Sequence, residues 1–497
     1  MRSDPESRSD LPTGGKFRPT PEKVVKSFAR SGYGLTASAL KRVIELCSSE
    51  SELEGLVEKV SSRVPKGTVL DWQQIAELSG PRPPEELQRT VQREAKPEDE
   101  LRLITSTYED LRIEGTYDEF HTYRVARYSK LRSLLETRGL TLRSTKELLE
   151  NRQEGYAACV VNEVSHSDGR YVLRLEDPSG AWTAFVSGRD RRLMEKVESL
   201  TRDMVVAVRV LGRGGKLVVR DIVFPEVSHT RTQVKGPNVR LCVISDVHIG
   251  STNFNREAFE EFLEWLSNEW EDLNLRYLVI NGDLVDGVFV YPNQREELEL
   301  RSLKEQFAEA GRLLSKVPRE VKVIYLPGNH EPVRRALPQT PIPREYRTIL
   351  DPEGRITYCG NPALMDLGGV RLLFFHGQTM DDLIQLSSRF SYSDLREKAG
   401  EVMETILRCR HLSPAIEVTP ILPTSHDHLL IEEVPDVLAM GHIHVAVLRS
   451  YRGVKLVNSG TWQNQTKLQK SVGLEPTVGT AVLIDGRELS IEIAKFS

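Results

Sequence analysis

Residues 241–250 read LCVISDVHIG, a short strand-forming run, LCVIS, that stops on Asp246 and, two positions on, His248. Four later stretches repeat the arrangement: RYLVIN before Gly282-Asp283, VKVIYLP before Gly328-Asn329-His330-Glu331, RLLFF before His376-Gly377, and PDVLAM before Gly441-His442-Ile443-His444. Short apolar runs rich in β-branched and aromatic residues, parted by helical or loop stretches, predict the strands of an α/β sheet. Sites in such sheets gather beyond the carboxyl ends of the strands. Five loops bearing Asp, Asn and His would therefore meet on one edge.

Taken singly, these fragments are common. Together and in this order they resemble the calcineurin-like metallophosphoesterase superfamily, which implies an α/β phosphoesterase, a two-sheet sandwich flanked by helices. The chemistry accounts for the residue types. Two divalent cations roughly 3.5–4 Å apart can clamp a phosphate ester, generate a hydroxide and neutralise the charge of an in-line displacement. Carboxylate, imidazole and amide ligands suit Mn best here, with Fe, Zn or Mg as alternatives. The resemblance implies that Asp246, His248 and His444 hold the first metal, that Asp283 bridges both, and that Asn329, His376 and His442 complete the second. It makes His330 a catalytic residue over the phosphate, stabilising or protonating the leaving oxygen, a role within reach of an imidazole.

Other polar residues nearby read differently. Asp286, three positions after Asp283, is expected to cap a helix or turn. His426 and His428 form an HxH outside the superfamily pattern and are expected on the surface or in a loop. Glu331 stands where Asp is commoner, and its extra methylene should shift any contact it makes behind a ligand.

A narrower resemblance is carried by SDVHIGSTNFNREAFEEFLEWL, VFVYPNQREEL, PGNHEPVRRALPQTPIP, FFHGQTMDDL and VNSGTWQNQTKLQK, which span most of residues 239 to 475. These look like the small subunit of archaeal family D DNA polymerases. The resemblance implies a 3′ to 5′ exonuclease that proofreads on single-stranded DNA 3′ ends. It also implies a large catalytic polymerase subunit as heterodimeric partner, which supplies synthesis, and contacts with other replisome proteins. Two alternatives stay open: a catalytically silent scaffold, or a free-standing phosphoesterase on smaller substrates. All eight site positions are filled, which speaks against the first, and the extra modules speak against the second.

At 497 residues the chain is too long for one ordinary core. Residues 1–22 are expected to be a disordered tail, 23–65 a small helical module, 66–118 a linker, 119–236 an OB-fold domain and 237–497 the metallophosphoesterase domain. In the helical module Leu35, Leu40, Val43, Ile44 and Cys47 can share one helix face. Ser49 opens a capping pattern before Leu53, Leu56, Val57 and Val60. The Pro- and charge-rich stretch from about 78 to 100 reads as flexible. YAACVVNEV, YVLRLED, WTAFVSG, MVVAVRVLG and KLVVRDIVF are five strand candidates, with a helix in RRLMEKVESL between the third and fourth. That order looks like an OB-fold barrel. Tyr171 and Trp182 are its candidates for base stacking, and either could instead be core.

The formal net charge is -5, which excludes a chain coated with DNA-binding surface. Any DNA contact is then local, with Arg334, Arg335, Arg344 and Arg347 as one candidate, a subunit contact being the other reading of that loop. The N-terminal MRSDPESRSDLPTGGK has no apolar core, no apolar run reaches membrane-spanning length, and the five cysteines are scattered. A cytoplasmic location, with no membrane contact, is expected.

Overall fold

The computed structural model describes residues 19–35, 39–40, 43–44, 47, 49–64, 66, 69–70, 101–105, 107–167, 170–186, 190–228 and 235–497. The chain divides into two compact units, Met1–Gln92 and Arg93–Ser497.

In the first unit, helices Pro21–Arg30 and Glu50–Arg63 are capped by Thr20 and Ser49, whose side chains accept from the amides three residues on. Val24, Phe28, Val43, Leu53, Leu56 and Val60 form the core. Leu35 departs from the helix face expected for it. Strand β1 (Gly34–Leu35) pairs in parallel with β2 (Val69–Leu70), so the backbone at Leu35 is extended. Residues 1–18 and 71–100, including the stretch read as flexible, lie outside the described residues.

The second unit begins inside the span expected to be a linker. Strand β3 (Leu101–Leu103) pairs with the distant strand Ala363–Leu367, and Tyr108 is buried with its hydroxyl donating to Pro362 O at 2.9 Å. Three residues carry too little periodicity to announce a strand. The partner edge, far away in sequence, decides the matter. Helix Tyr117–Glu136 follows, started by a capping box between Thr116 and Glu119.

Strands β4 (Glu154–Ser167), β5 (Arg170–Asp177), β6 (Gly180–Val186), β7 (Val205–Arg213) and β8 (Lys216–Val223) close a barrel in the order β4-β5-β6-β8-β7. Helix Arg191–Glu198 lies between the third and fourth strands. The barrel interior, Leu173, Leu175, Val206 and Val208 among others, runs without a break into the apolar side of helix Leu395–Cys409. Buried Glu226 fastens this seam: Arg408 and Arg452 reach its carboxylate at 3.4 and 3.5 Å, and Tyr451 donates to it at 3.1 Å.

The remaining strands are β9 (Arg240–Ile244), β10 (Leu275–Asn281), β11 (Lys322–Leu326), β12 (Ile356–Tyr358), β13 (Ala363–Leu367), β14 (Val370–Phe374), β15 (Val437–Met440), β16 (Ala446–Tyr451), β17 (Val454–Ser459), β18 (Thr480–Asp485) and β19 (Ile491–Lys495). They build two six-stranded sheets, β12-β11-β10-β9-β18-β19 and β16-β17-β15-β14-β13-β3. Alternation along each strand explains the layers. Leu241 and Val243 point between the sheets, against Leu372, Phe374 and Ala439. Cys242 and Ile244 point the other way, under helices Arg256–Glu269 and Leu303–Leu314. All five cysteines are buried and unpaired. Among the described residues no helix is long and apolar enough to cross a membrane.

Candidate metal centre

β9, β10 and β11 run parallel in one sheet, β14 and β15 in the other, so their carboxyl ends open on one edge. The loops that follow turn sharply. Asp246, His248, Asp283, His442 and His444 all have φ between +51° and +70°, in the left-handed region that costs a non-glycine residue about 1 kcal/mol or more. Such strain persists where the surroundings fix it, and here it aims side chains inward. Glycine is required at Gly282 for a second reason. Its φ is +92°, and a Cβ there would run into the His376 ring and the Gly328 backbone.

Two groups of ligand-type atoms result, each within 4.8 Å of one another: Asp246, His248 and His444, and Asp283, His376 and His442. A third group of the same kind, His248, Asp283 and His330, places Asp283 between them. Asp283 Oδ2 is 3.2 Å from His376 Nε2 and 3.9 Å from His330 Nε2. Asn329 Oδ1 is 3.0 Å from His376 Nε2, which puts the amide in the second group. Every residue assigned to the site from the sequence is thus at this edge; Asp246, His248, Asp283, His376 and His444 are buried, and Asn329, His330 and His442 are partly exposed.

Each imidazole is oriented by an acceptor or donor behind it. His376 Nδ1 donates to Asn281 O at 3.0 Å, leaving Nε2 toward Asp283. His330 Nδ1 donates to Asp286 O at 2.6 Å. Nδ1 of His248 is 3.0 Å from Asp286 Oδ1, and Nε2 of His442 is 2.9 Å from Asp381 Oδ2. Gln469, fixed by the Thr466 backbone amide, donates to Nδ1 of His444 at 2.9 Å. Asp286 is therefore no helix or turn cap. It is a buried carboxylate behind His248, held in turn by Gln294 and Gln463. Asp381, in the sequence FFHGQTMDDL, carries no signal of this role in the sequence, because its partner lies far along the chain.

The electrostatics are those of crowded, buried acids. Burial would raise the pKa of Asp283, but His376 and His330 hold it well below the usual carboxylate range. Burial likewise opposes charge on His376, yet Asp283 and Asp246 outweigh it and push its pKa up to about 10. Protons thus sit on imidazoles where cations would otherwise balance the carboxylates. Burial pulls His330 and His444 down. A set of buried carboxylates, imidazoles and one amide fits divalent cations of the Mn, Fe and Zn kind.

Glu331 makes contacts that the sequence did not foretell. Its carboxylate accepts from the amides of Gly328, Asp283 and Leu284 at 3.1 Å or less, and from Tyr325 Oη at 2.6 Å. It braces two loops through their backbones and no ligand side chain. Burial and Asp283 together push its pKa up to about 7.

The remaining candidates fall elsewhere. His426 and His428 meet edge to face with ring centroids 4.8 Å apart, and neither belongs to the metal-type groups. Arg334 donates to Pro338 O and Tyr108 O, and Arg347 to Ile342 O and Glu109, so both serve the fold. Arg335 and Arg344 are exposed. Tyr171 and Trp182 are half-buried and pack on the barrel core.

Among known families, residues 241–446 match the one described as the DNA polymerase alpha/epsilon B-subunit. The chain is 33% identical over 477 residues to the DNA polymerase II small subunit of Methanothermobacter thermautotrophicus, covering 93% of this chain and 98% of that one. It is also 33% identical over 478 residues to the DNA polymerase II small subunit of Archaeoglobus fulgidus, covering 93% and 95% respectively. Among solved structures, an archaeal phosphodiesterase is 13% identical, covering 52% of this chain and 100% of its own, with a TM-score of 0.27. Zinc-complexed Vps29 from Entamoeba histolytica is likewise 13% identical, covering 52% and 100%, with a TM-score of 0.26. Likenesses this slight do not bear on activity.

Proposed function

Because this chain belongs to the DNA polymerase II small-subunit family, we propose that its Asp and His cluster hydrolyses phosphodiester bonds at DNA 3′ ends, proofreading for a large subunit that performs synthesis. One observation carries the reading: ligand-type atoms from all five strand ends meet in overlapping groups within 4.8 Å. A scaffold with a decayed site would have lost some of them.

Asp246, His248 and His444 would hold one cation, Asn329, His376 and His442 the other, with Asp283 shared. When bound, such a pair supplies an activated water and neutralises charge on the phosphate. The protein's part is positioning and proton movement. Asp286, Asp381 and Asn281 fix which ring nitrogen of His248, His442 and His376 faces inward. His330 presents Nε2 to the same space, its Nδ1 being tied to Asp286 O. Water adds to phosphorus and releases a proton to solvent while the bond to the 3′ oxygen of the preceding nucleotide breaks; His330, charged to the imidazolium beside the anionic phosphate with Nδ1–H still on Asp286 O, delivers its Nε2 proton to that oxygen.

The test is single-stranded DNA labelled at its 5′ end, incubated with the chain and Mn²⁺. A ladder of shortening fragments, absent with Asp283→Ala, is expected. No cleavage by a chain shown to hold metal would turn the reading to the scaffold.

A further inference from the structure

Next to the cluster, one large aromatic side chain stands in water. Phe289 is 79% exposed, while Asp286, Gly287 and Gln294 in the same loop are buried. An isolated exposed phenylalanine is unremarkable on a protein surface. This one has φ +63°, a conformation that a bulky side chain rarely adopts without cause.

The loop that carries it is pinned on both sides. Gln294 donates to Asp286 O and accepts from Val290 N, and Arg335 donates to Val290 O at 3.1 Å. A Cβ at Gly287 would strike His330 O, so the loop lies directly on the loop of the proposed acid. Tyr291 closes the turn with its ring 6.3 Å from that of His330, edge to face. Phe289 is three residues from Asp286, whose carbonyl holds His330, so the Phe289 Cα lies within about 11 Å of the Asp286 Cα. An exposed ring, a cation on Arg335 and a proton donor are set along one rim.

We propose that Phe289 is a stacking surface for the terminal nucleobase of the strand being cut, with Arg335 beside it for the backbone phosphate. The inference rests on the DNA-hydrolysing reading above and adds what selects the substrate: an unpaired, unstacked base. A base in a duplex is already stacked on both faces, whereas a frayed or mispaired end offers a free π-face. Phe289 acts as a positioning residue and touches no reacting atom. Base–aromatic stacking is worth about 1–3 kcal/mol on alanine substitution, which is roughly a 5- to 150-fold change in affinity.

The experiment uses the full chain and a single strand ending in 2-aminopurine, in Ca²⁺ so that binding is read without turnover. Stacking on Phe289 is expected to quench the terminal fluorophore, Phe289→Ala to abolish the quench and weaken binding 5- to 150-fold, and Phe289→Trp to restore both. In Mn²⁺ the wild type should cut a normal 3′ nucleotide faster than an abasic one. Phe289→Ala should lose that difference through KM, leaving cleavage of the abasic end unchanged. An undiminished quench in Phe289→Ala, or an unchanged preference for the base, overturns the proposal. If Phe289→Ala behaves as wild type in both assays but loses a purified large subunit, the ring is a protein contact and the proposal also fails. Absence of cleavage from every variant and the wild type, with the quench intact in the wild type, would sink the hydrolytic reading and spare the stacking surface.

Discussion

His330 is the residue whose neighbourhood most narrows its role. One ring nitrogen is tied to the Asp286 carbonyl, the other points at Asp283 from 3.9 Å, and the amide of His330 donates to Asp283 Oδ1 at 2.9 Å. Removing the imidazole leaves all seven proposed ligands in place. His330→Ala should accordingly retain metal, measured by binding of Mn²⁺, while hydrolysis falls about 10²- to 10⁴-fold, as for other positioned acids. Loss of metal would instead make His330 a ligand. At this scale the sequence shows which polar residues follow the apolar runs and is blind to the groups that stand behind them. Asp, Asn and His after apolar runs stand out because such residues are costly to bury. Asp286 and Asp381 do not, since nothing local links them to the histidines they hold.

Loops and strands depend on backbone contacts that a motif cannot show. Glu331 satisfies three amides from two loops and one tyrosine hydroxyl. A buried donor left without its acceptor costs about 1–3 kcal/mol. Glu331→Ala should lower unfolding stability by about 3 kcal/mol or more and weaken Mn²⁺ binding through Asp283; a urea midpoint within error of wild type would contradict the bracing role. The long, apolar strands β9, β10 and β11 are legible from their composition. β3 is not, because Leu101–Leu103 pairs with β13 across most of the chain and has no periodicity of its own. Leu35 leaves its expected helix for a related reason. Two-residue strands win by pairing, and pairing partners are invisible in a local window.

For the molecule as a whole, acid is the condition that should expose its dependence on buried pairs. His411 Nδ1 accepts from Ser413 N, so Nε2 carries the proton that it donates to Asp427 at 2.8 Å. Burial would raise the Asp427 pKa, yet His411, Arg127 and the Leu429 amide bring it down to about 2. Burial also lowers the pKa of His411. Both shifts act in one direction: the unfolded chain takes up protons first, so stability falls with pH, beginning near 6.5 for the histidine. The carboxylate's share is present above about 4 and is lost as pH falls toward 2. Asp427→Asn should cost about 2 kcal/mol at pH 7, with the gap to wild type closing between pH 4 and 2. Urea denaturation at several pH values reads this, and a gap that widens on acidification would refute it. None of this is readable from the sequence, because the pair joins two loops and shows no spacing rule.

The pairing of β3 with β13 also has a consequence in time. Leu101 leaves the ribosome long before Leu367, its partner, and His442 and His444 emerge later still. At about 5–20 residues per second, that delay is on the order of tens of seconds. Through it the early strand has nothing to pair with, and Asp246 and Asp283 wait without the last two histidines. A nascent chain therefore carries no finished centre, and any cutting activity would begin only after His444 has emerged.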